Sequence, residues 1–148
     1  KLLIAGEYYS NGEDYENLIK NHGLSEDIVQ INKFIPDSDV KYLFNASDII
    51  VQPYKSATQS GVTQIAYHFE KPMIVTDVGG LSELCPDGKV GYLTKVDSGD
   101  IANSIFKFYN DTDVQEMIRN IRVEKQKYSW DIMVNSIENL IKKINEIH

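Results

Sequence analysis

The 148-residue chain carries 22 acidic residues against 15 basic ones, a formal net charge of -7, with 42% hydrophobic residues. That length supports one compact core burying roughly two-thirds of the unfolded surface, and the negative charge argues against a nucleic-acid partner. The single cysteine, Cys85, excludes an internal disulfide and a multi-cysteine zinc site and reads as structural.

The chain opens on Leu2 to Ala5, a short apolar run closed by Gly6, which predicts a strand buried on both faces as in a parallel sheet. After the polar turn Ser10, Asn11 and Gly12, residues Tyr15, Leu18 and Ile19 recur at helical spacing, and His22 and Gly23 stop the helix. Asp27 to Ile31 reads as a second strand. Pro36 with Asp37 or Ser38 starts a second helix, which runs past Val40, Leu43 and Phe44 to about Ser47. Ile49, Ile50 and Val51 form a third strand stopped by Pro53, and a polar loop from Tyr54 to Ser60 leads into a helix over Gly61 to Phe69. A fourth strand, Met73 to Val75, ends in the turn Asp77 to Gly80, and a short strand is expected at Gly91 to Leu93. Three helical stretches follow, carried by Ile101, Ile105 and Phe106, by Val114, Met117, Ile118 and Ile121, and by Trp130, Met133, Ile137, Leu140, Ile141 and Ile144. The alternation predicts an α/β fold, an open parallel Rossmann-like sheet flanked by helices and joined by right-handed crossovers.

Such sheets bind ligands at the carboxyl ends of their strands, which directs attention to the loops after Ile31, Pro53 and Thr76. The segment Tyr54, Lys55, Ser56, Ala57, Thr58, Gln59, Ser60 and Gly61 sets small polar residues and a glycine directly before a helix. Free N–H groups at a helix start bind phosphate, and glycine permits close backbone approach; Ser and Thr are equally ordinary helix caps. Neither a Walker loop nor the glycine spacing of a dinucleotide turn is present. Asp77 and Glu83, flanking Gly79 and Gly80, suit a sugar hydroxyl or acid/base work, and suit turn and helix-start chemistry as well. His68 reads as a helix-packing residue, since no nucleophile elbow accompanies it; it, His22 and His148 have no metal-ligand spacing. The late lysines Lys125, Lys127, Lys142 and Lys143 read as a solvated helix face. No apolar run approaches the roughly 18 residues of a spanning helix and no signal segment opens the chain, so a cytoplasmic protein is expected.

The segment from Ile49 to Glu83 resembles the signature of the GT4 glycosyltransferases, which have the GT-B fold; Pro53, Lys71-Pro72 and Thr76-Asp77-Val78-Gly79-Gly80-Leu81 with Glu83 match it without a gap. Phe34 and Ile35 resemble the segment that meets the nucleotide base. Ala46-Ser47-Asp48, Gly91-Tyr92-Leu93 and Tyr128-Ser129-Trp130 extend the likeness along nearly the whole chain. The resemblance implies the donor-binding, C-terminal half of a GT-B enzyme. Such an enzyme transfers sugar, with retention, from a UDP- or GDP-sugar to an acceptor hydroxyl, with no obligatory cofactor or metal. The acceptor, a glycan or lipid-linked sugar, would be held by an N-terminal domain absent from this sequence, and the whole protein could touch the inner face of the membrane peripherally.

Two departures stand out. The paired glutamates of the family fall on Ala57 and Ile65, so both carboxylates are missing, and Thr58, Gln59, Ser60 and Gly61 are the neighbouring polar substitutes. No catalytic residue can be assigned. This leaves open a non-catalytic relative that partners an active transferase, and, more weakly, a GT-B sugar epimerase. The second departure is that nothing corresponds to the first strand of the family's C-terminal domain, whose Arg and Lys bind the diphosphate; Leu2 to Gly6 resembles the second strand. A chain extended upstream by about 40 residues, the usual length of a strand-helix unit, is therefore expected to melt at a higher temperature; equal melting would count against a missing central strand.

Overall fold

The computed structural model describes residues 1–8 and 11–146; Ser10 of the predicted turn and His148 lie outside them. Backbone packing divides the chain into two compact units, residues 1–47 and 48–148.

In the first unit, β1 (Leu2–Ala5) and β2 (Ile28–Ile31) pair in parallel, Leu2 opposite Ile28 and Ala5 opposite Ile31. Between them runs α1 (Gly12–Asn21), capped by the Asn11 side chain, which accepts from the Glu13 N–H. Its stop is the predicted one. Gly23 takes φ +68°, its N–H donates to Lys20 O, and the Leu24 N–H donates to Ile19 O, a Schellman closure. α2 (Asp37–Ala46) starts at the expected signal: Pro36, with extended backbone, is the N-cap, and Asp37 and Ser38 lie inside the first turn. Proline suits this place because its fixed φ matches the -62° found here and the helix makes no use of an N–H at the N-cap; its carbonyl accepts from the Asp39 N–H at 2.8 Å, while Asp37 and Asp39 meet the positive end of the helix dipole. β1 is also less buried than predicted, with Leu2 48% exposed, because it has one hydrogen-bonded neighbour strand among the described residues.

The second unit holds β3 (Ile50–Gln52), β4 (Met73–Thr76) and β5 (Gly91–Thr94) in the order β3-β4-β5, all parallel. The fold is thus α/β with parallel sheets flanked by helices, as predicted. β4 lies in the middle, and Met73, Ile74 and Val75 are wholly buried. Helices α3 (Gly61–His68), α5 (Ser98–Asp111) and α6 (Val114–Glu124) add Ala66, Tyr67, Phe108, Met117 and Ile121 to this core. A four-residue α4 (Leu81–Leu84) follows the Gly79-Gly80 turn, and a 3₁₀ turn (Lys125–Tyr128) precedes α7 (Trp130–Glu146).

The predicted helices differ from the structure in which faces are buried. On α5, Phe106 is 67% exposed and Phe108 is buried instead. Helical geometry explains it: positions 101, 105 and 108 share a face, and 106 is turned about 100° from 105. α7 has the expected periodicity, but Trp130, Met133, Ile137, Leu140, Ile141 and Ile144 all remain exposed. His68, expected to pack, is exposed at the end of α3, with its ring edge-on to Phe69. Cys85 is buried as expected; burial, with Asp87 adding to it, pushes its thiol up to about 12, so it stays protonated and inert.

α3 ends on a second Schellman closure in which the left-handed residue is Glu70, φ +55°, rather than glycine. The steric cost, about 1 kcal/mol, is offset by two ion pairs at 2.6 Å, from Glu70 to Lys125 and to Arg122. Two of the lysines predicted to be merely solvated are therefore paired, Lys125 with Glu70 and Lys127 with Glu124. Hydrogen bonds from Lys125 and then Arg122 hold the Glu70 carboxyl below its ordinary value of 4.5. A depressed folded-state pKa contributes stability that is present above 4.5 and lost as the pH falls through the depressed value. Glu70→Gln is expected to cost about 0.5–1 kcal/mol at pH 7 and almost nothing at the acid end. Urea denaturation at the two pH values checks this, and equal losses would contradict it.

Candidate functional site

Because β3, β4 and β5 are parallel, their carboxyl ends share one edge, where the β3–α3 loop and the β4–α4 turn emerge. The two loops are locked together by backbone. The Gly80 N–H donates to Thr58 O at 3.2 Å, and a Cβ on Gly79, which has φ +55°, would collide with the Ala57 carbonyl. Glycine is required at 79 both for its dihedral and for the approach. The two segments that the sequence singled out separately, Thr58 to Gly61 and Asp77 to Glu83, are thereby neighbours.

Below the loop, Thr76 Oγ1 donates to Tyr54 O at 2.6 Å and fixes the chain leaving β3. Tyr54 is half-buried with its hydroxyl 3.4 Å from Ser60 Oγ. Thr58 and Gln59 are exposed, and Gly61 is exposed with open space where a side chain would stand. Ser60 is different: it is the N-cap of α3 by position, yet it is 8% exposed and makes no side-chain cap. Its Oγ instead donates to Gln52 Oε1 at 2.9 Å, and Thr63 Oγ1 donates to the same oxygen at 3.1 Å.

Gln52 is a residue that the sequence reading missed. β3 runs from Ile50 to Gln52, one residue beyond the apolar run Ile49 to Val51, so the amide sits on the strand, 2% exposed. Its Nε2 is buried with no hydrogen-bond partner among the described residues. A polar residue inserted between an apolar strand and its stopping proline was the available signal.

Asp77 and Glu83 are exposed, Asp77 with its N–H on Thr94 O and Glu83 within the short α4. Gly79 is exposed and Gly80 half-buried. Ala57 and Ile65, the positions without the family carboxylates, are half-buried. Phe34, 70% exposed, and Ile35 follow β2 in the first unit. No cluster of three His, Cys, Asp or Glu side chains suited to a metal occurs among the described residues, and none of their helices is long and apolar enough to cross a membrane. A cavity of about 490 Å³ lies beside Asp48, Glu70, Pro72 and Arg122, at the amino ends of β3 and β4. Its ionic groups are already paired, so the carboxyl edge remains the site that the fold favours.

A parallel α/β unit with a small-residue loop at a helix start and a double-glycine turn beside it is the architecture of the C-terminal domain of GT-B glycosyltransferases. Sucrose-phosphate synthase from Thermosynechococcus elongatus superposes with a TM-score of 0.79 at 21% identity, over 99% of this chain and 39% of that one. HepE of Anabaena, solved with UDP, superposes with a TM-score of 0.80 at 21% identity, over 95% of this chain and 40% of that one; it has also been solved with UDP-glucose. Residues 1–111 match the family described as glycosyl transferases group 1, and the chain belongs to that family. Among its curated relatives, D-inositol 3-phosphate glycosyltransferase of Gordonia bronchialis is 28% identical over 142 residues, 93% of this chain and 31% of the relative. The chain thus spans about a third of that protein's length.

Gly79→Ala should destabilise the protein by at least about 2 kcal/mol, from the left-handed dihedral and the collision with Ala57. Chemical denaturation measures the loss, and a neutral substitution would show that the loop and turn are not locked.

Proposed function

We propose that this chain supplies the donor half of a retaining glycosyltransferase, binding a nucleotide-diphosphate sugar that the whole protein transfers to an acceptor hydroxyl. The observation that carries this reading is the uncapped start of α3 beside the Gly79-Gly80 turn: Gly61 leaves open space, and first-turn N–H groups without a side-chain acceptor suit a diphosphate. Thr58, Gln59, Ser60 and Gly61 would form the loop around it, with Tyr54 supporting them. In the second unit, Asp77, Gly79, Gly80 and Glu83 would approach the sugar; for Phe34 and Ile35 of the first unit, contact with the base rests on the family resemblance alone. Backbone donors and the helix dipole stabilise a leaving diphosphate without an obligatory metal. UDP is the nucleotide to try first, because HepE was solved with UDP and with UDP-glucose; a GDP-sugar is the second choice. The acceptor, a glycan or lipid-linked sugar, belongs to a partner domain outside this sequence, and a lipid-linked acceptor would bring the whole protein to the cytoplasmic face of a membrane.

The absence of carboxylates at Ala57 and Ile65 favours a second reading, a non-catalytic binding module that partners an active transferase. The isolated chain turns over under neither reading. In the full-length protein, UDP at millimolar concentration is expected to shift the amide resonances of Phe34, Ser60 and Gly61, and a donor panel is expected to release nucleoside diphosphate when acceptor is present. Absence of the shifts rejects donor binding; shifts without release, across the panel and a range of acceptors, select the binding module.

A further inference from the structure

We infer that Gln52 is a positioning residue that keeps the start of α3 open for the diphosphate, an inference resting on the donor-site reading above. Serine is among the best helix N-caps because its oxygen accepts from the N–H of the second or third helical residue. α1, α5 and α6 are closed in this way by Asn11, Asp97 and Asp113. Ser60 holds the same position on α3 and makes no such bond. Its Oγ is drawn inward to Gln52 Oε1, at 2.9 Å, and Thr63 Oγ1 is held on the same atom. Either orientation of the amide ties Ser60 to Gln52 rather than to the helix, and either leaves one buried amide atom without a partner among the described residues.

That arrangement is costly. A buried, unpartnered amide group is destabilising, and a competent cap is given up beside it. A strand-end residue chosen for stability would be apolar, like Ile50 and Val51 before it. The polar choice makes sense where the N–H of Val62, on the half-buried second residue of the helix, must remain available to an acceptor from outside the chain. Gln52 is itself too buried to touch that ligand. It acts through Ser60.

The test uses the full-length protein and UDP. Gln52→Met removes the inward acceptor at similar volume, frees the Ser60 hydroxyl to cap α3, and so makes it compete with the diphosphate. The expected result is UDP binding weakened about fivefold, the weight of one helix cap, with a melting temperature equal to or above that of the unmodified protein. Ser60 would serve the donor loop through its main chain, its hydroxyl being buried and turned inward to Gln52; adding Ser60→Ala therefore removes the competing cap without removing a ligand contact and is expected to bring affinity back to within about twofold. Hydrogen exchange supplies a measurement that needs no variant: the Val62 amide exchanges rapidly in the ligand-free protein and slows when UDP binds. Unchanged UDP affinity in Gln52→Met, a weakening that Ser60→Ala fails to reverse, or a protected Val62 amide without ligand would each overturn the role of Gln52 while leaving donor binding intact. No UDP binding by the unmodified protein would overturn the donor reading and this inference together.

Discussion

The second unit depends on β4 being enclosed on every side. Met73, Ile74 and Val75 have no exposed surface, and each such side chain contributes about 1.5–3 kcal/mol on burial. β5 reaches its place alongside because residue 91 is glycine; a Cβ there would strike the backbone of Met73. The parallel register that follows brings the ends of β3, β4 and β5 to one edge. The loop before α3 and the turn before α4 are neighbours for that reason.

Much of this was legible in the sequence. Apolar runs bounded by glycine and proline located the strands, and Gly23 and the Asp77 to Gly80 turn fell where expected. Less legible was anything decided by a partner several residues away in the chain. Phe106 and Phe108 are both aromatic in one helix, and only the packed sheet distinguishes them. Nothing in the sequence around Glu70 signals its pairing with Arg122 and Lys125, more than fifty positions on. Ser60 was legible as a cap-like residue at a helix start. Its actual bond to Gln52 was not, because β3 extends one residue past its apolar run.

The ion pairs on Glu70 and the neutral hydrogen bonds around Gln52 lie at opposite ends of the strands, and Asp77 and Glu83 are exposed carboxylates at the carboxyl edge. At the amino ends of the strands, Glu70 is paired with two cations and Asp48 accepts from the Tyr109 hydroxyl. At the carboxyl ends, the neutral side chains of Gln52, Tyr54, Ser60 and Thr63 are linked to one another at the start of α3. The first turn of that helix thus offers an anion backbone dipoles and uncharged side chains, with no carboxylate at position 57 or 65.

The contact between Gly79 and Ala57 separates the course of the loop from its chemistry. The loop is held by main chain against main chain, through the Ala57 carbonyl and the Gly80 N–H on Thr58 O, and neither attachment involves the side chain at position 57. Substitutions there can exchange a carboxylate for a methyl group without moving the path of the chain. A lineage carrying such a loop is free to change which groups it offers a ligand while conserving where it offers them.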